Sequence, residues 1–510
     1  MSAYIVAHDL GTSGDKATLF SVDGELIKSA VSSYETRFFN GNWAEQNPLD
    51  WWKAFCRATR EITSDIDIHD IAVVTFSGQM MGCVCVDKQG RLLRDAIIWA
   101  DQRSTAEMQF LKERIDDDVF YRITGHRPSP AYSLEKLMWL KTHEPDVYAS
   151  TYRMLHAKDY MVYRLTGAFI TDYSDASGTH AFDLNTLSWS ETIITLAFVD
   201  EKKLPDLKPS THIAGEVTAP AAEETGLARG TPVVCGAGDG ISAAVGAGCV
   251  ENGDAHCYVG SSAWVGLTTD ESIYDDYMRT INWAHAIPGR ISPCGPMQAA
   301  GGSFSWMQRE LCVYESLVAE RAGENPFSVI NETIAESPPG ANGLFFLPYL
   351  MGERSPRWNP NARGGFFGLN MGHRRSDVLR SVIEGVALNL RLIIDIFQEG
   401  TEISRMVVIG GGGQGLIERQ ILADAFGFEV QMPSYPEEAT SMGAAVIGGV
   451  GVGVLKDFGE IQRFIHIDSV QKPDSRNVCV YQKMLPVVDE CYRALEPVFE
   501  SLRNLREESL

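Results

Sequence analysis

Two acidic residues stand where an apolar run breaks into small residues, and their surroundings suit phosphate chemistry. Asp239 lies in VVCGAGDGISAAVGAG (233–248), where a strand enters a Gly turn and a helix of very small residues follows. Gly236, Gly238 and Gly240 let the backbone approach a ligand closely, and a helix N-terminus favours negative charge. A carboxylate held there can serve as general base for a substrate hydroxyl. The plainer reading is a helix N-cap; against it stands the smallness of Ser242 to Gly248, since a helix without bulk lets something large sit close. Asp9 opens the turn in HDLGTSGDKATLF (8–20), with Lys16 on the far side. Mg²⁺ keeps several waters and takes one or two carboxylates, so Asp9 suits a metal role through water; a turn-capping Asp is the alternative. Thr12, Ser13, Ser261 and Ser262 offer hydroxyl and amide donors to phosphate oxygens. Lys16 reaches the same charge, unless it is an ordinary exposed strand lysine.

The elements that must position these residues occur twice. DLGTSGDKATLF (9–20) matches YVGSSAWVGLT (258–268), each an apolar lead-in, a Gly-Thr/Ser-Ser turn and a return strand. IAVVTFSGQMMG (71–82) matches MVVIGGGGQGL (406–416), and GDGISAAVGAGCV (238–250) matches SMGAAVIGGVGVG (441–453). Three matched pairs in one order imply two homologous halves that meet near residues 249–256. Helical patterns alternate with strands, as after Ser376, where Val378, Leu379, Val382, Ile383, Val386, Ala387, Leu390 and Ile393 keep a 3.6 period with Ser376 as N-cap. The class is α/β, and two such halves facing each other form a cleft into which paired hairpins project.

A chain of 510 residues is too long for one core and predicts two large domains. Its formal net charge of −23 argues against nucleic acid or an anionic membrane as main partner. No stretch of about 18 apolar residues occurs, so no transmembrane helix is expected. Its ten cysteines form no CxxC pair and read as reduced thiols of a cytoplasmic protein.

Other chemistries are excluded or weak. The chain has no GxxxxGK[ST], no HExxH and no GxSxG elbow. Gly410, Gly412 and Gly415 satisfy GxGxxG between a strand and a helix, and Glu429 lies near the distance of a ribose-binding acid, which keeps an NAD-dependent polyol oxidoreductase open. A backbone approach to a single nucleoside explains those glycines equally well. In the first half, SGQMMG (77–82) and IIWADQRS (97–104) each follow a strand. Trp99, Asp101 and Arg103 then offer an indole face, a carboxylate and a guanidinium to a molecule with several hydroxyls; the alternative for Asp101 and Arg103 is a strand-end salt bridge.

With these segments placed, the chain resembles the FGGY family of carbohydrate kinases, within the actin/Hsp70/sugar-kinase superfamily. The resemblance runs from about residue 4 to 455. DLGTSGDKATLF, WAEQNPLDWW, SGQMMG, IIWADQRS, KDYMVYRLTGAFITDYSDASGT (158–179), GAGDGISAAVGAG, GGGGQGLIERQILAD and GGFFGLNMGHRRSDVLRSVIE (364–384) carry it. It implies two ribonuclease-H-like domains, taken as 1–250 and 251–510, flanking an ATP cleft, and phosphoryl transfer from ATP with Mg²⁺ to a sugar or polyol hydroxyl. Asp239 matches the catalytic base and Asp9 the metal-side aspartate, both facing the metal. The ATP set is Gly11, Thr12, Ser13, Lys16, Gly260, Ser261, Ser262, Gly302, Gly411, Gly412 and Gly413. The acceptor set is Gln79, Met80, Met81, Trp99, Asp101, Arg103, Asp239 and Gly240.

Within the family the chain is most similar to the xylulose kinases, through TDYSDASGT and SGQM, so a ketopentose such as D-xylulose is the expected acceptor. Another polyol, ketose or aldonate is the alternative. Xylulose kinases usually read SGQMHG, and Met81 replaces that His. Ala131 stands where glycerol kinases carry a bulky Tyr, leaving room for something longer than glycerol, and GGGGQG stands where the family more often has GGGA followed by Arg or Lys and Ser. A non-catalytic sugar or nucleotide sensor remains a rival that the paired aspartates oppose. YQKMLPVVDECYRALEPVFESLRNLREESL (481–510) reads as an amphipathic helix that packs on its own chain or joins a homodimer.

Overall fold

The computed structural model describes residues 4–413 and 415–508. Its core is one arrangement used twice. In the first half, β1 (Tyr4–Leu10) and β2 (Gly14–Ser21) form an antiparallel hairpin, β3 (Leu26–Ser33) extends it, and β4 (Ile71–Gly78) and β5 (Pro232–Val234) add in parallel on the other side. The order is β5-β4-β1-β2-β3, with the strand Ile213–Glu216 beside β5. In the second half, β6 (Ala255–Val259), β7 (Ala263–Leu267), β8 (Ile291–Met297), β9 (Arg405–Ile409) and β10 (Glu429–Pro433) repeat it as β10-β9-β6-β7-β8. Parallel neighbours put the carboxyl ends of β1, β4 and β5 at one edge of their sheet, where open α/β sheets bind ligands.

The elements between the strands are α1 (Ala157–Thr166), the short α2 (Tyr173–Ser177), α3 (Asp239–Gly246), α4 (Arg375–Gln398), α5 (Leu416–Phe426), α6 (Ala439–Gly451) and α7 (Ser475–Glu508). Helix α3 crosses α6 with the backbones in contact. A Cβ on Gly246 would lie 1.7 Å from the Ala439 carbonyl oxygen, and one on Gly443 would lie 1.8 Å from that of Ser242. This reciprocal approach is the point where the halves meet, and Ala243, Val245, Val407, Ile409, Ala444 and Ile447 join Ile5, Ala7 and Val73 in one apolar cluster there. The smallness of α3 therefore answers to its partner helix; the expectation that it makes room for a ligand is corrected. A second correction concerns α4. Its N-cap is Arg374, whose N–H donates to Asp377 at 2.8 Å, and Ser376 lies inside the first turn.

Helix α7 packs on the second half through Tyr481, Val488, Tyr492 and Phe499, which are buried, and turns Val487, Val498 and Leu502 outward. Residues 509–510 of the amphipathic segment lie outside the described residues. All ten cysteines are free. Among the described residues no helix is long and apolar enough to cross a membrane.

Candidate active site

The two hairpin turns are built from local geometry. In the first, Gly11 N–H donates to the Asp9 and Gly14 carbonyls at 3.1 and 3.0 Å, Tyr34 Oη donates to Gly11 O, and Gln46 Nε2 donates to Thr12 O at 2.6 Å. In the second, Gly260 N–H donates to Ser262 O at 2.9 Å, while Gly301 and Gly302 at the start of helix Gly301–Leu311 donate to the Gly260 and Ser261 carbonyls at 2.8 and 2.9 Å. Gly302 thus shapes the turn with its N–H. The N–H groups of Thr12, Ser13, Ser261 and Ser262 donate to nothing among the described residues. Turns that leave successive N–H groups free in this way are suited to bind an anion. The Gly410–Gly413 loop lies against the second turn: Gly410 has φ +85°, and a Cβ on Gly412 would meet Val259 Cγ1 at 2.5 Å. Gln414 of that loop lies outside the described residues.

Asp9 is the last residue but one of β1 and Asp239 begins α3, and both are half-buried. The helix cap is Gly238, so Asp239 is free of the capping role. Its Oδ1 accepts the Gly240 N–H at 2.8 Å. Burial first, and then the Asp9 charge, push the Asp239 carboxyl up to about 7. Burial also pushes Asp9 up to about 6, opposed by a 2.9 Å hydrogen bond from Ser77 Oγ and by Lys16. Tyr258 is pushed up to about 12, by burial and then by the charges of Asp9, Asp239 and Glu437, which places it among them; it stacks on Trp264 at 4.0 Å. Lys16 is engaged with the second half: its Nζ donates to the Glu437 carbonyl at 2.7 Å and lies 3.5 Å from the Glu438 carboxylate.

The acceptor residues divide into two groups. Gln79 braces the first turn, with N–H on Leu10 O at 2.8 Å and Nε2 on Gln46 Oε1 at 2.9 Å. Met80 packs on the base turn, where a Cβ on Gly238 would meet its Sδ at 2.4 Å. Met81 is half-buried with φ 62°, a backbone region that costs a non-glycine residue about 1 kcal/mol or more, and its carbonyl accepts Lys136 Nζ at 2.7 Å. Gly240 faces open space. Trp99, in the turn after the strand Ala96–Ile97, donates from Nε1 to Thr12 Oγ1 at 2.9 Å and so joins that turn to the first hairpin turn. Asp101 and Arg103 do not meet the cleft. Their side chains are sealed from water, paired at 2.7 Å, with Glu45 2.9 Å from Arg103 and the Trp43 ring 3.9 Å from the guanidinium. The expectation that they grip the acceptor is corrected. The salt-bridge alternative has the right pairing in a wholly buried setting.

Sequence reasoning missed two features. Arg354 lies beside β8: its Nη2 donates to Met297 O at 3.3 Å, and it forms no ion pair among the described residues. Its charge is felt by Tyr132 and by Cys294, and Cys294 also feels the charge of Asp239. The neighbouring Glu353 is committed elsewhere, to the N–H groups of Gln298 and Arg354 and to Asn389 Nδ2 at 2.6, 2.8 and 3.0 Å. The other is a buried cluster of Lys158 with Asp159, Asp172 and Asp175. Lys158, Asp159, Asp172 and Asp175, all within 18 positions of KDYMVYRLTGAFITDYSDASGT, were its visible signal. His156, Asp159 and Asp175 have the spacing of metal ligands, but the Lys158 ammonium stands among the carboxylates.

The geometry also decides against the dinucleotide reading. Glu429 pairs in register with Arg405, at the amino end of β9, whereas the glycine loop follows its carboxyl end. Five residues at about 3.3 Å each put the acid roughly 16 Å from the loop, too far for a ribose.

Comparison with known proteins gives a consistent result. The model of the FGGY family of carbohydrate kinases, N-terminal domain, matches residues 4–246, and that of the C-terminal domain matches residues 255–452. The chain is 30% identical to the xylulose kinase of Bacillus subtilis (strain 168), with 99% of each chain covered. It is 29% identical to the gluconokinase of Bacillus licheniformis, over 99% of this chain and 98% of that protein. The crystal structure of ligand-bound xylulose kinase from Lactobacillus acidophilus superposes with a TM-score of 0.91 at 27% identity, covering 98% of this chain and 99% of that one.

Proposed function

The chain belongs to the FGGY family of carbohydrate kinases, and on that premise we propose that it phosphorylates a ketopentose, D-xylulose first among them, with Asp239 as general base. The observation that carries the reading is Asp239 held at about 7 beside two turns of free N–H groups. A base near the working pH accepts a proton readily and is not trapped as the acid. The acceptor hydroxyl gives its proton to the Asp239 carboxylate as its oxygen attacks the γ-phosphorus of ATP. The bond from that phosphorus to the β,γ-bridging oxygen breaks, and ADP leaves. The turns at Thr12–Ser13 and Ser261–Ser262 hold the phosphate oxygens where charge develops. The Gly411–Gly413 loop receives the nucleoside, and Met80, Met81 and Gly240 flank the acceptor. We assign acceptor binding, the first turn and the base to residues 1–250 and nucleotide binding to 251–510.

The donor set fits Mg²⁺: two carboxylates lie close enough for Asp9 to raise Asp239, and the lysine nearest Asp9 is engaged with Glu437 and Glu438. Asp9 and Asp239 would hold the ion, through water in the case of Asp9. Bound there, Mg²⁺ supplies charge neutralisation to the β- and γ-phosphates. A cytoplasmic location, where ATP is made and thiols stay reduced, goes with this reading. The outward apolar residues of α7 suit a homodimer.

A second reading, an aldonate acceptor such as gluconate, is favoured by Arg354. A half-buried guanidinium that forms no ion pair among the described residues suits a carboxylate, which takes two parallel N–H bonds. The test is ADP release from MgATP across ketopentoses, ketohexoses, pentitols, erythritol, glycerol and aldonates. Turnover on one acceptor, lowered about 10²–10⁴-fold in Asp239→Ala, is expected; full turnover in that variant removes Asp239 from the base role. D-xylulose as the best acceptor supports the first reading. Gluconate as the best, lost in Arg354→Met, supports the second.

A further inference from the structure

The Lys158 cluster lies behind the site and takes no part in the chemistry described so far. Its members are sealed from water: Lys158, Asp172 and Asp175 are 0% exposed and Asp159 and His156 2%. Lys158 Nζ stands 2.7 Å from Asp159, 2.8 Å from Asp172 and 3.1 Å from Asp175. Burying so many charges is unfavourable unless opposite charge and hydrogen bonds hold them; Lys158 faces all three carboxylates, and two arms lead outward from the cluster. On the first arm, Asp172 Oδ2 accepts the Ser174 hydroxyl at 2.6 Å, and Ser174 Oγ accepts the Gly238 N–H at 2.9 Å. Gly238 is the residue before the base. On the second arm, His156 Nδ1 lies 2.9 Å from Asp175, its Nε2 is 2.8 Å from Ser133 Oγ, and that hydroxyl donates to Gly82 O at 2.8 Å. Gly82 is the residue after Met81.

The short helix α2 is the physical link between the arms. It carries Ser174 and Asp175, and it ends at Gly178, where a Cβ would lie 3.4 Å from Met81 N. Met81 holds a left-handed backbone that persists only if its surroundings over-determine it. The base turn is equally constrained, with Gly236 at φ +72° and Met80 packed onto Gly238.

We propose that Lys158 and its carboxylates are the positioning element of the site, with Ser174 setting the base turn and Ser133 setting the acceptor loop. The two arms then have separable effects. Removing the Ser174 hydroxyl leaves the Gly238 N–H without a partner and lets Asp239 drift, which slows transfer but leaves binding intact. Removing the Ser133 hydroxyl frees the Gly82 carbonyl and relaxes Met81, which weakens acceptor binding. A misplacement of about 1 Å at the reacting atoms is enough for a 10²-fold loss.

This inference rests on the proposed phosphoryl transfer, so the wild-type protein is measured first on D-xylulose and gluconate, and the better acceptor is used throughout. Ser174→Ala is expected to lower kcat about 10–100-fold with both KM values within about twofold. Ser133→Ala is expected to raise the acceptor KM about tenfold with kcat and the ATP KM within about threefold. Ser174→Thr, which keeps the hydroxyl, restores most of kcat. A merely structural role would lower kcat in both variants in proportion to the folded fraction, read by thermal melting, and that result overturns the proposal. If Ser174→Ala does not fold, Ser174→Cys keeps the size with a weaker acceptor, and the same split is required of it at smaller amplitude. No turnover by the wild type on either acceptor would sink the functional reading together with this one. Wild-type turnover without the kcat-against-KM split would sink this one alone.

Discussion

Replacing Asp239 by Asn should lower turnover about 10²–10⁴-fold and yet stabilise the protein at alkaline pH. The Asp239 carboxyl sits at about 7 in the folded chain, against 3.8 for an unperturbed aspartate. The folded state therefore favours the neutral acid. That contribution to stability is complete below the unfolded value and is lost as pH rises through about 7. At about 1.4 kcal/mol for each tenfold shift, ionising this group at pH 8 costs the fold up to about 4 kcal/mol. Water in the cleft screens a half-buried group, which brings the expected figure to about 1–2 kcal/mol. Asparagine keeps the shape and cannot ionise, so Asp239→Asn avoids the cost at pH 8 and gains nothing at pH 4. With an unfolding entropy near 2 cal/mol/K per residue, a chain of this size shifts by about 1 °C per kcal/mol. Scanning calorimetry of both proteins in EDTA at pH 4 and pH 8 should show Asp239→Asn about 1–2 °C more stable at pH 8 only. Added Mg²⁺ should narrow the gap, because a cation beside Asp9 offsets the charge that wild-type Asp239 carries. Equal Tm values at pH 8, with ADP release lowered in the variant, would mean that the carboxyl does not ionise against the fold. The argument for a base poised near neutrality would then be wrong.

Three further outcomes are expected. Gly443→Ala puts a methyl group 1.8 Å from the Ser242 carbonyl oxygen, which should cost more than about 3 kcal/mol and show as insoluble or low-melting protein. Gly400→Ala, with nothing within 4 Å of the new Cβ, is the control that should leave Tm unchanged. Glu429→Ala should leave the ATP KM within about twofold and produce no nicotinamide reduction with polyols, because the acid stands at the far end of β9 from the glycine loop. Met81→His should raise kcat/KM for D-xylulose about five- to tenfold through one added hydrogen bond, since His also tolerates the left-handed backbone better than Met does. A loss of D-xylulose turnover in that variant would count against D-xylulose as the natural acceptor.

The paired aspartates, the two hairpin turns and the twofold repeat could be read in the chain because each is a local signal. A strand that breaks into Gly-Thr-Ser, or a strand, Gly turn and helix around Asp239, has its geometry written within a dozen residues. The site residues that misled the reading depend on partners far away in the chain. Asp101 and Arg103 look like ligand groups until Glu45, Trp43 and the Ala44 N–H close over them. The small residues of α3 look like room for a substrate until α6, some 200 positions later, lies against them. Glu429 looks like a ribose acid until strand register sets it beside Arg405. Arg354 shows no local pattern of function, and the charged residues of 158–175 do not reveal that they are buried together, because their meaning lies in which groups stand within about 3 Å across the fold. Side-chain type and backbone turns follow from neighbours in sequence. Burial, register and the pairing of charges are decided by which surfaces the folded chain brings together, and only the tertiary structure settles that.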